Sequence, residues 1–311
     1  MKLRFGKVLG IFAGAIALLA ATGYWYVFIA GAPQLDPPQV ERNTGLTFHL
    51  QTFNSKAMGE VRMYGLILPP GYTKNPVRRY PVIFLLHGGH GDARAYQDKA
   101  AVTSVLHDLY KSGKLPPSIV ITPDGNDRRG SSPFWDSDYY DGPNGKVGTL
   151  IGSELVQVVK SRYRTLEQPH FWAMGGQSSG GWGAFNIGLR YLNNFNIFFS
   201  SSGYFTDTSG SANSPQLFIK QISATQRQQI RAFLDAGEAD REFLASTQQF
   251  HQTLNQLGIA NDFRVFPGGH GIVGGDFGWN YWHKHLADQL SYVGQQFKIG
   301  LTKENKTVKS F

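Results

Sequence analysis

Ser178 lies in a glycine-rich segment whose residue types and spacing suit nucleophilic chemistry. Gly176, Ser178 and Gly180 form the pattern Gly-x-Ser-x-Gly, between an apolar run that predicts a strand and a segment that predicts a helix. A serine at such a sharp strand-to-helix turn projects its hydroxyl, and the glycines leave room for the neighbouring backbone. The pattern alone arises by chance about 0.3 times in a chain of this composition, so a glycine-rich phosphate-binding turn is the alternative. The context favours Ser178 as the nucleophile of acyl chemistry.

A serine nucleophile needs a general base, and the base needs a carboxylate that orients it. His270 lies between glycines in the loop after the last predicted strand, so we predict it as the base. Asp240 comes just after the strand predicted at 231–236, and we predict it as the acid. Asp235 within that strand and Glu238 in the following loop are rivals for this role. Capping of the next helix is the alternative role of Asp240.

Acyl chemistry also needs two hydrogen-bond donors for the oxyanion. The backbone N–H of Ser179, directly after the nucleophile, is one expected donor. Gly89, in a glycine-rich loop after an early strand, is the expected second donor, with His90 as the next candidate. His87 and His90 could also be metal ligands, but no third ligand follows at a suitable spacing. We therefore expect no metal and no other cofactor.

Three further side chains are predicted to contact substrate: His90, Trp135 and Trp182. Trp135 belongs to a segment rich in aromatic and acidic residues, 134–142. Its acidic residues fall at positions 1, 3 and 6 of an EF-hand calcium loop, and position 12 is Val147, so the EF-hand pattern fails. We interpret it as an aromatic loop near the mouth of the cleft.

The elements that must position these residues alternate between strands and helices. Strands are predicted at 46–54, 60–68, 80–86, 118–122, 170–174, 196–200, 231–236 and 262–266, and helices at 97–111, 150–163, 178–191, 241–257 and 280–297. This alternation predicts an α/β fold with one doubly wound, mostly parallel sheet. Ligands of such sheets bind beyond the carboxyl ends of the strands.

The N-terminal residues are apolar and lie outside this pattern. Residues 8–32 contain no charged side chain and follow a basic leader, which predicts a transmembrane helix that anchors residues 1–32. A cleaved signal peptide is the alternative. The expected division is this segment, an extended linker (33–45), an esterase domain (46–297) and a basic tail (298–311). Under either interpretation, the esterase domain lies outside the cytoplasm. It is then anchored in the periplasm or at the cell surface, or it is secreted.

The composition limits the functional classes. The 311 residues include no cysteine, which excludes disulfides, thiolate metal sites and a cysteine nucleophile. The net charge of +8 is concentrated partly at the two ends of the chain, without a basic stripe that interleaves aromatic residues. Nucleic-acid binding is therefore not expected.

Together these features resemble the putative-esterase family of the α/β-hydrolase superfamily, which includes feruloyl esterases, enterochelin esterase, the esterase D group and the antigen 85 mycolyltransferases. The resemblance rests on the following segments: Leu68-Pro-Pro-Gly-Tyr72, Tyr80-Pro-Val82, His87-Gly-Gly89, Pro123-Asp-Gly125, the turn at Ser178, Gly237 with Asp240, and Gly269-His270. It implies an α/β-hydrolase fold with Ser178, Asp240 and His270 as a triad and Gly89 with Ser179 as oxyanion donors.

Two segments depart from the family's pattern. Ser179 stands where members often carry Met or Leu, and an additional glycine-rich stretch at 271–278 is expected to reshape the pocket over His270. The expected function is hydrolysis of a small-molecule, carbohydrate or lipid ester. Acyl transfer to a sugar or alcohol, as in the mycolyltransferases, is the first alternative. A non-catalytic binding protein on the same fold is the second.

Overall fold

A computed structural model describes residues 2–25, 42–131 and 135–308. The strands are β1 (Phe48–Ser55), β2 (Glu60–Ile67), β3 (Val82–Leu86), β4 (Ile119–Pro123), β5 (Asp141–Gly142), β6 (Gly145–Lys146), β7 (Trp172–Gln177), β8 (Ile197–Ser201), β9 (Arg231–Gly237) and β10 (Ala260–Phe266). The helices are α1 (Lys2–Tyr24), α2 (Ala95–Asp98), α3 (Val102–Lys111), α4 (Val147–Thr149), α5 (Leu155–Arg162), α6 (Ser179–Gly188), α7 (Pro215–Phe218), α8 (Ala224–Arg227), α9 (Arg241–Gln256) and α10 (Trp279–Val308). A π-helical turn, Leu150–Glu154, joins α4 to α5.

Eight strands form one sheet in the order β1-β2-β4-β3-β7-β8-β9-β10. β2 is antiparallel to both β1 and β4, whereas the remaining neighbours in this sheet, β4, β3, β7, β8, β9 and β10, run parallel to one another. Strands β5 and β6 form a separate two-stranded hairpin. The mostly parallel sheet agrees with the α/β fold that the strand–helix alternation predicts.

Burial along the strands follows their position in the sheet. Every residue of β3, β4, β7 and β8 is buried, because helices cover both faces of the central strands. The edge strands β1 and β10 contain many exposed residues. Helix α6 packs on β7 and β8, α9 packs on β9 and β10, and α10 packs on α3, β8 and β9. The nucleophile's strand, β7, therefore lies in the most enclosed part of the molecule.

All eight predicted strands are present, each within a few residues of its predicted bounds. The five predicted helices correspond to α3, α5, α6, α9 and α10, with two differences. The segment predicted as one helix at 97–111 contains the short α2 and then α3, and α10 continues to Val308 through most of the predicted basic tail.

The predicted transmembrane helix is not supported. Within the described residues, no helix combines the length and the apolar character that crossing a bilayer requires. Helix α1 (Lys2–Tyr24) includes the charged residues Lys2, Arg4 and Lys7. Residues 26–32 of the predicted anchor and residues 33–41 of the predicted linker lie outside the described residues.

Candidate active site

Ser178 lies at a sharp turn between a central strand and a helix. Strand β7 ends at Gln177 and helix α6 begins at Ser179, so Ser178 alone makes the connection. Its φ of 53° is in the left-handed region, which a residue with a side chain rarely adopts. The backbone N–H of Ser178 donates to the carbonyl of Ser201 on β8 at 2.9 Å, which holds the strained turn against the sheet. Such strain is characteristic of a functional turn.

The two glycines of the Gly-x-Ser-x-Gly pattern are required by the packing of this turn. A Cβ on Gly176 would collide with the carbonyl of Leu86 and with the backbone of Gly180. A Cβ on Gly180 would collide with the carbonyls of Leu86 and His87. The turn is pressed against the end of β3, and only residues without a side chain fit there.

His270 and Asp240 lie together at the ends of neighbouring strands. Asp240 follows β9 and His270 follows β10. The Oδ2 atom of Asp240 lies 2.8 Å from Nδ1 of His270, and its Oδ1 accepts the backbone N–H of His270 at 2.7 Å. Although Asp240 precedes α9, its side chain makes no capping hydrogen bond. The carboxylate is thus in position to orient His270, and it does not cap the helix.

The loop that carries His270 depends on a glycine. Gly269 has a φ of +139°, and a Cβ there would collide with the carboxylate of Asp240. The N–H of Gly278 donates to the carbonyl of Gly269 at 2.7 Å, which closes the base of the glycine-rich stretch predicted to reshape the pocket. The close approach of Asp240 to the loop is possible because residue 269 has no side chain.

The surroundings of the pair favour an ionised carboxylate. Burial by itself disfavours the charged form of Asp240. The hydrogen bonds from His270 and Ser202 and the attraction to a protonated His270 outweigh this effect and lower the pKa of Asp240. The imidazole of His270 stacks on Phe243 at a centroid distance of 4.3 Å and meets Trp282 edge-on at 5.2 Å. Its Nε2 has no hydrogen-bond partner among the described residues, so this nitrogen remains available for a proton transfer.

The rival acids lie elsewhere. Asp235 is fully buried inside β9 and accepts hydrogen bonds from Ser201, Tyr281 and Gln289. Glu238 is exposed. Neither side chain forms a hydrogen bond to His270 in the described structure.

His87 is a structural histidine. Its Nδ1 lies 2.8 Å from the carbonyl of Gly88 and its Nε2 accepts the N–H of Gly125 at 2.9 Å, which is the pattern of a neutral ring. Burial lowers the pKa of His87. Among the described residues, no three histidine or carboxylate side chains converge in a way that would hold a metal ion.

The predicted oxyanion donors lie beside the nucleophile. Ser179 is the first residue of α6, where backbone N–H groups have no partner within the helix. Gly89 faces Asp136, whose carboxylate occupies the space that a Cβ would fill. His90 has a φ of 61°, and its Nε2 lies 3.8 Å from Oδ1 of Asp136. The residue roles stay predictions, but Gly89 and His90 share one cleft with Ser178 and His270.

This cleft has a volume of about 310 Å³. Its lining comprises Gly88, Gly89, His90, Gly91, Lys99, Asp136, Gln177, Ser178, His270, Gly271, Ile272, Trp279 and Trp282. Larger grooves of about 850, 710 and 650 Å³ lie elsewhere and contain none of the predicted site residues. We locate the site by the geometry of Ser178 and His270, because cavity size alone does not identify chemistry.

Two predicted substrate contacts are outside the lining of the cleft. Trp182 is 1% exposed, its indole N–H donates to the carbonyl of Asn213 at 2.8 Å, and its ring stacks on Tyr204. It is a core residue of α6, and this placement argues against contact with substrate. Trp135 donates its indole N–H to the carbonyl of Gly130 and packs under the guanidinium of Arg129.

Several lining residues were not predicted. Gln177 occupies the first x of the Gly-x-Ser-x-Gly pattern, where any residue type is accepted. Lys99 directly follows the last residue of α2. Trp279 and Trp282 begin α10, one turn apart, just after the loop of His270. Their spacing and their position after that loop were a usable signal, whereas nothing in the sequence marks Gln177 or Lys99.

The comparisons with known proteins agree with this geometry. The family model described as "Putative esterase" matches residues 55–293. An esterase of Mycobacterium tuberculosis is 24% identical over 272 residues, which cover 70% of this chain and 54% of that protein. An uncharacterized protein of Corynebacterium glutamicum is 22% identical over 286 residues, covering 85% of this chain and 64% of that one. The chain thus spans between about half and two thirds of the length of these curated relatives.

Solved structures show the same fold. A ferulic acid esterase superposes with a TM-score of 0.71 at 25% identity, covering 81% of this chain and 98% of that one. The enterobactin esterase of Shigella flexneri superposes with a TM-score of 0.63 at 20% identity, covering 85% of this chain and 62% of that one. The predicted α/β-hydrolase fold is confirmed, and the family match supports the predicted esterase class. With a family match over most of its length, the chain belongs to the putative-esterase family.

Proposed function

We propose that this chain hydrolyses carboxylic esters through an acyl-enzyme on Ser178. One observation carries the proposal. The serine at the strained turn and His270 line the same cleft, and Asp240 binds the opposite nitrogen of that histidine. A nucleophile, a base and an orienting carboxylate in this arrangement are the requirements of serine-dependent acyl chemistry.

In the proposed reaction, the Oγ of Ser178 attacks the ester carbonyl while Nε2 of His270 accepts its proton. Asp240 stabilises the resulting imidazolium through Nδ1. The N–H groups of Ser179 and Gly89 bind the oxyanion of the tetrahedral intermediate. The intermediate collapses, the C–O bond to the alcohol breaks, and His270 returns the proton to the leaving alcohol. Water then attacks the acyl-enzyme by the same sequence of steps and releases the acid and Ser178.

The proposed substrate is a small-molecule, carbohydrate or lipid ester whose carbonyl reaches the cleft. The named relatives support an ester, since they are described as a ferulic acid esterase and an enterobactin esterase. Acyl transfer to a sugar or alcohol uses the same triad and differs only in the group that replaces water. Product analysis with and without an added sugar acceptor separates the two reactions.

The direct test uses a short p-nitrophenyl ester and a fluorophosphonate probe. We expect Ser178→Ala to reduce turnover to background and to remove labelling, because the attacking oxygen is lost. Ser161→Ala, an exposed serine of α5, is the matched control and should behave as the unmodified protein. Substantial turnover or labelling in Ser178→Ala would refute the mechanism.

A further inference from the structure

Gln177, the residue before the nucleophile, has a buried amide oxygen without a donor. The residue is 2% exposed, and its Oε1 makes no hydrogen bond with any residue that the structure describes. An amide oxygen that loses water on burial is normally compensated by a protein donor. An isolated acceptor of this kind therefore indicates a partner that comes from outside the chain.

The side chain of Gln177 belongs to the wall of the candidate active site. Gln177 lines the same cleft as Ser178 and His270. Its backbone is fixed at the end of β7, where it pairs with Ser201, and its Cγ lies against Gly88. Buried hydroxyls without partners also occur at Ser179 and Ser200, but neither residue lines the cleft. Of these three residues, only Gln177 lines the cleft.

The chemistry of the cleft indicates what the partner is. The Oε1 atom of Gln177 requires a donor, which a carboxylate, an ether or a second ester does not provide. The indole N–H of Trp282, also in the lining, has no acceptor among the described residues. A hydroxyl group both donates and accepts, so it suits a cleft that presents one unused acceptor and one unused donor.

We propose that Gln177 is a specificity residue whose Oε1 accepts a hydrogen bond from a hydroxyl group that the ester substrate carries near its scissile carbonyl. This inference rests on the proposed function of the cleft. The side chain of Gln177 takes no part in the attack, the proton transfer or the binding of the oxyanion. Its replacement should therefore change the choice of substrate and leave the mechanism of ester cleavage intact.

The experiment compares esters that differ by one hydroxyl group. The first pair is 2-hydroxyethyl butanoate and propyl butanoate, which places the hydroxyl in the alcohol. The second pair is methyl 3-hydroxybutanoate and methyl 3-methylbutanoate, which places it in the acyl group. Values of kcat/KM are measured for the unmodified enzyme, for Gln177→Met and for Gln177→Glu, with Gln229→Met as the control at the opposite end of the sheet.

We expect the unmodified enzyme to prefer the hydroxylated member of at least one pair by about tenfold or more. Gln177→Met should lose this preference, so that its kcat/KM values for the two members of the pair become similar. Gln177→Glu, which keeps an acceptor, should retain part of the preference. No preference in either pair, or an unchanged ratio in Gln177→Met, would overturn the inference. Failure of the proposed function would appear differently, as full activity in Ser178→Ala.

Discussion

Both carboxylate oxygens of Asp240 bind His270. One oxygen accepts the backbone N–H of His270 and the other binds its ring. The first contact fixes the loop and the second fixes the orientation of the imidazole. An aspartate with this double role is sensitive to a change that keeps its shape and removes its charge.

We therefore expect Asp240→Asn to lower kcat by roughly 10³- to 10⁴-fold, because an amide favours the wrong tautomer of His270 and cannot stabilise the imidazolium. Turnover of a p-nitrophenyl ester measures the effect. Glu238→Gln is the matched control, since this exposed rival in the same loop should retain activity. If Glu238→Gln lost activity and Asp240→Asn retained it, the assignment of Asp240 as the acid would be wrong.

Single residues differ in how well the sequence predicts their placement. Ser178, Asp240 and His270 were predictable because each follows a recognisable strand, and strand ends of a parallel sheet lie on one edge. The placement of Trp182 at the substrate is not supported, since the whole of α6 is buried and Trp182 packs in the core. The isolated amide of Gln177 was not predictable, because it depends on the side chains packed around it and not on a motif.

At the scale of elements, Asp235 connects three parts of the fold. From the middle of β9 it accepts hydrogen bonds from Ser201 on β8 at 2.7 Å and from Tyr281 and Gln289 on α10 at 3.0 and 2.7 Å. Ser201 also accepts the N–H of Ser178. This buried carboxyl thus supports the strand next to the nucleophile and fastens the C-terminal helix to the sheet.

Burial raises the pKa of Asp235 to about 6 despite these hydrogen bonds. The folded protein therefore holds this proton more tightly than the unfolded chain does, so stability should fall as the pH rises from about 4 to about 6. The loss for this group is at most about 3 kcal/mol. Urea unfolding at several pH values should show a shallower pH dependence for Asp235→Asn. Asp262→Asn, at an exposed position of β10, is the control, and equal slopes in Asp235→Asn and the unmodified protein would contradict the interpretation.

The long elements were predictable and the short ones were not. A buried strand such as β4 or an amphipathic helix such as α9 leaves a pattern over many residues. Strands β5 and β6 have two residues each and α7 and α8 have four, which is too short for any period to appear. The extension of α10 to Val308 passes through residues that favour a helix, such as Lys and Leu, although their charge suggested a tail.

At the scale of the whole molecule, the location of the enzyme stays a prediction from sequence. The basic leader and the apolar residues up to Ala32 suggest export, and we propose that the esterase domain lies outside the cytoplasm. Intact cells treated with a membrane-impermeant fluorophosphonate should show labelling of the full-length protein. A variant that begins at residue 42 should be labelled only after lysis. Labelling of the full-length protein only after lysis would place the domain inside.

The close packing of the nucleophile's turn has a consequence for how this site tolerates mutation. Gly176, Gly180 and Gly269 each fill a space where even a methyl group would meet the backbone or the carboxylate of Asp240. By contrast, Ile272 is exposed and the rings of Trp279 and Trp282 are partly exposed, so these side chains are not enclosed by protein atoms on every side. A saturation library should therefore accept almost no replacement at the three glycines and many at the cleft walls. Divergence of this enzyme toward new esters would proceed through the walls, while the framework around Ser178 stays unchanged.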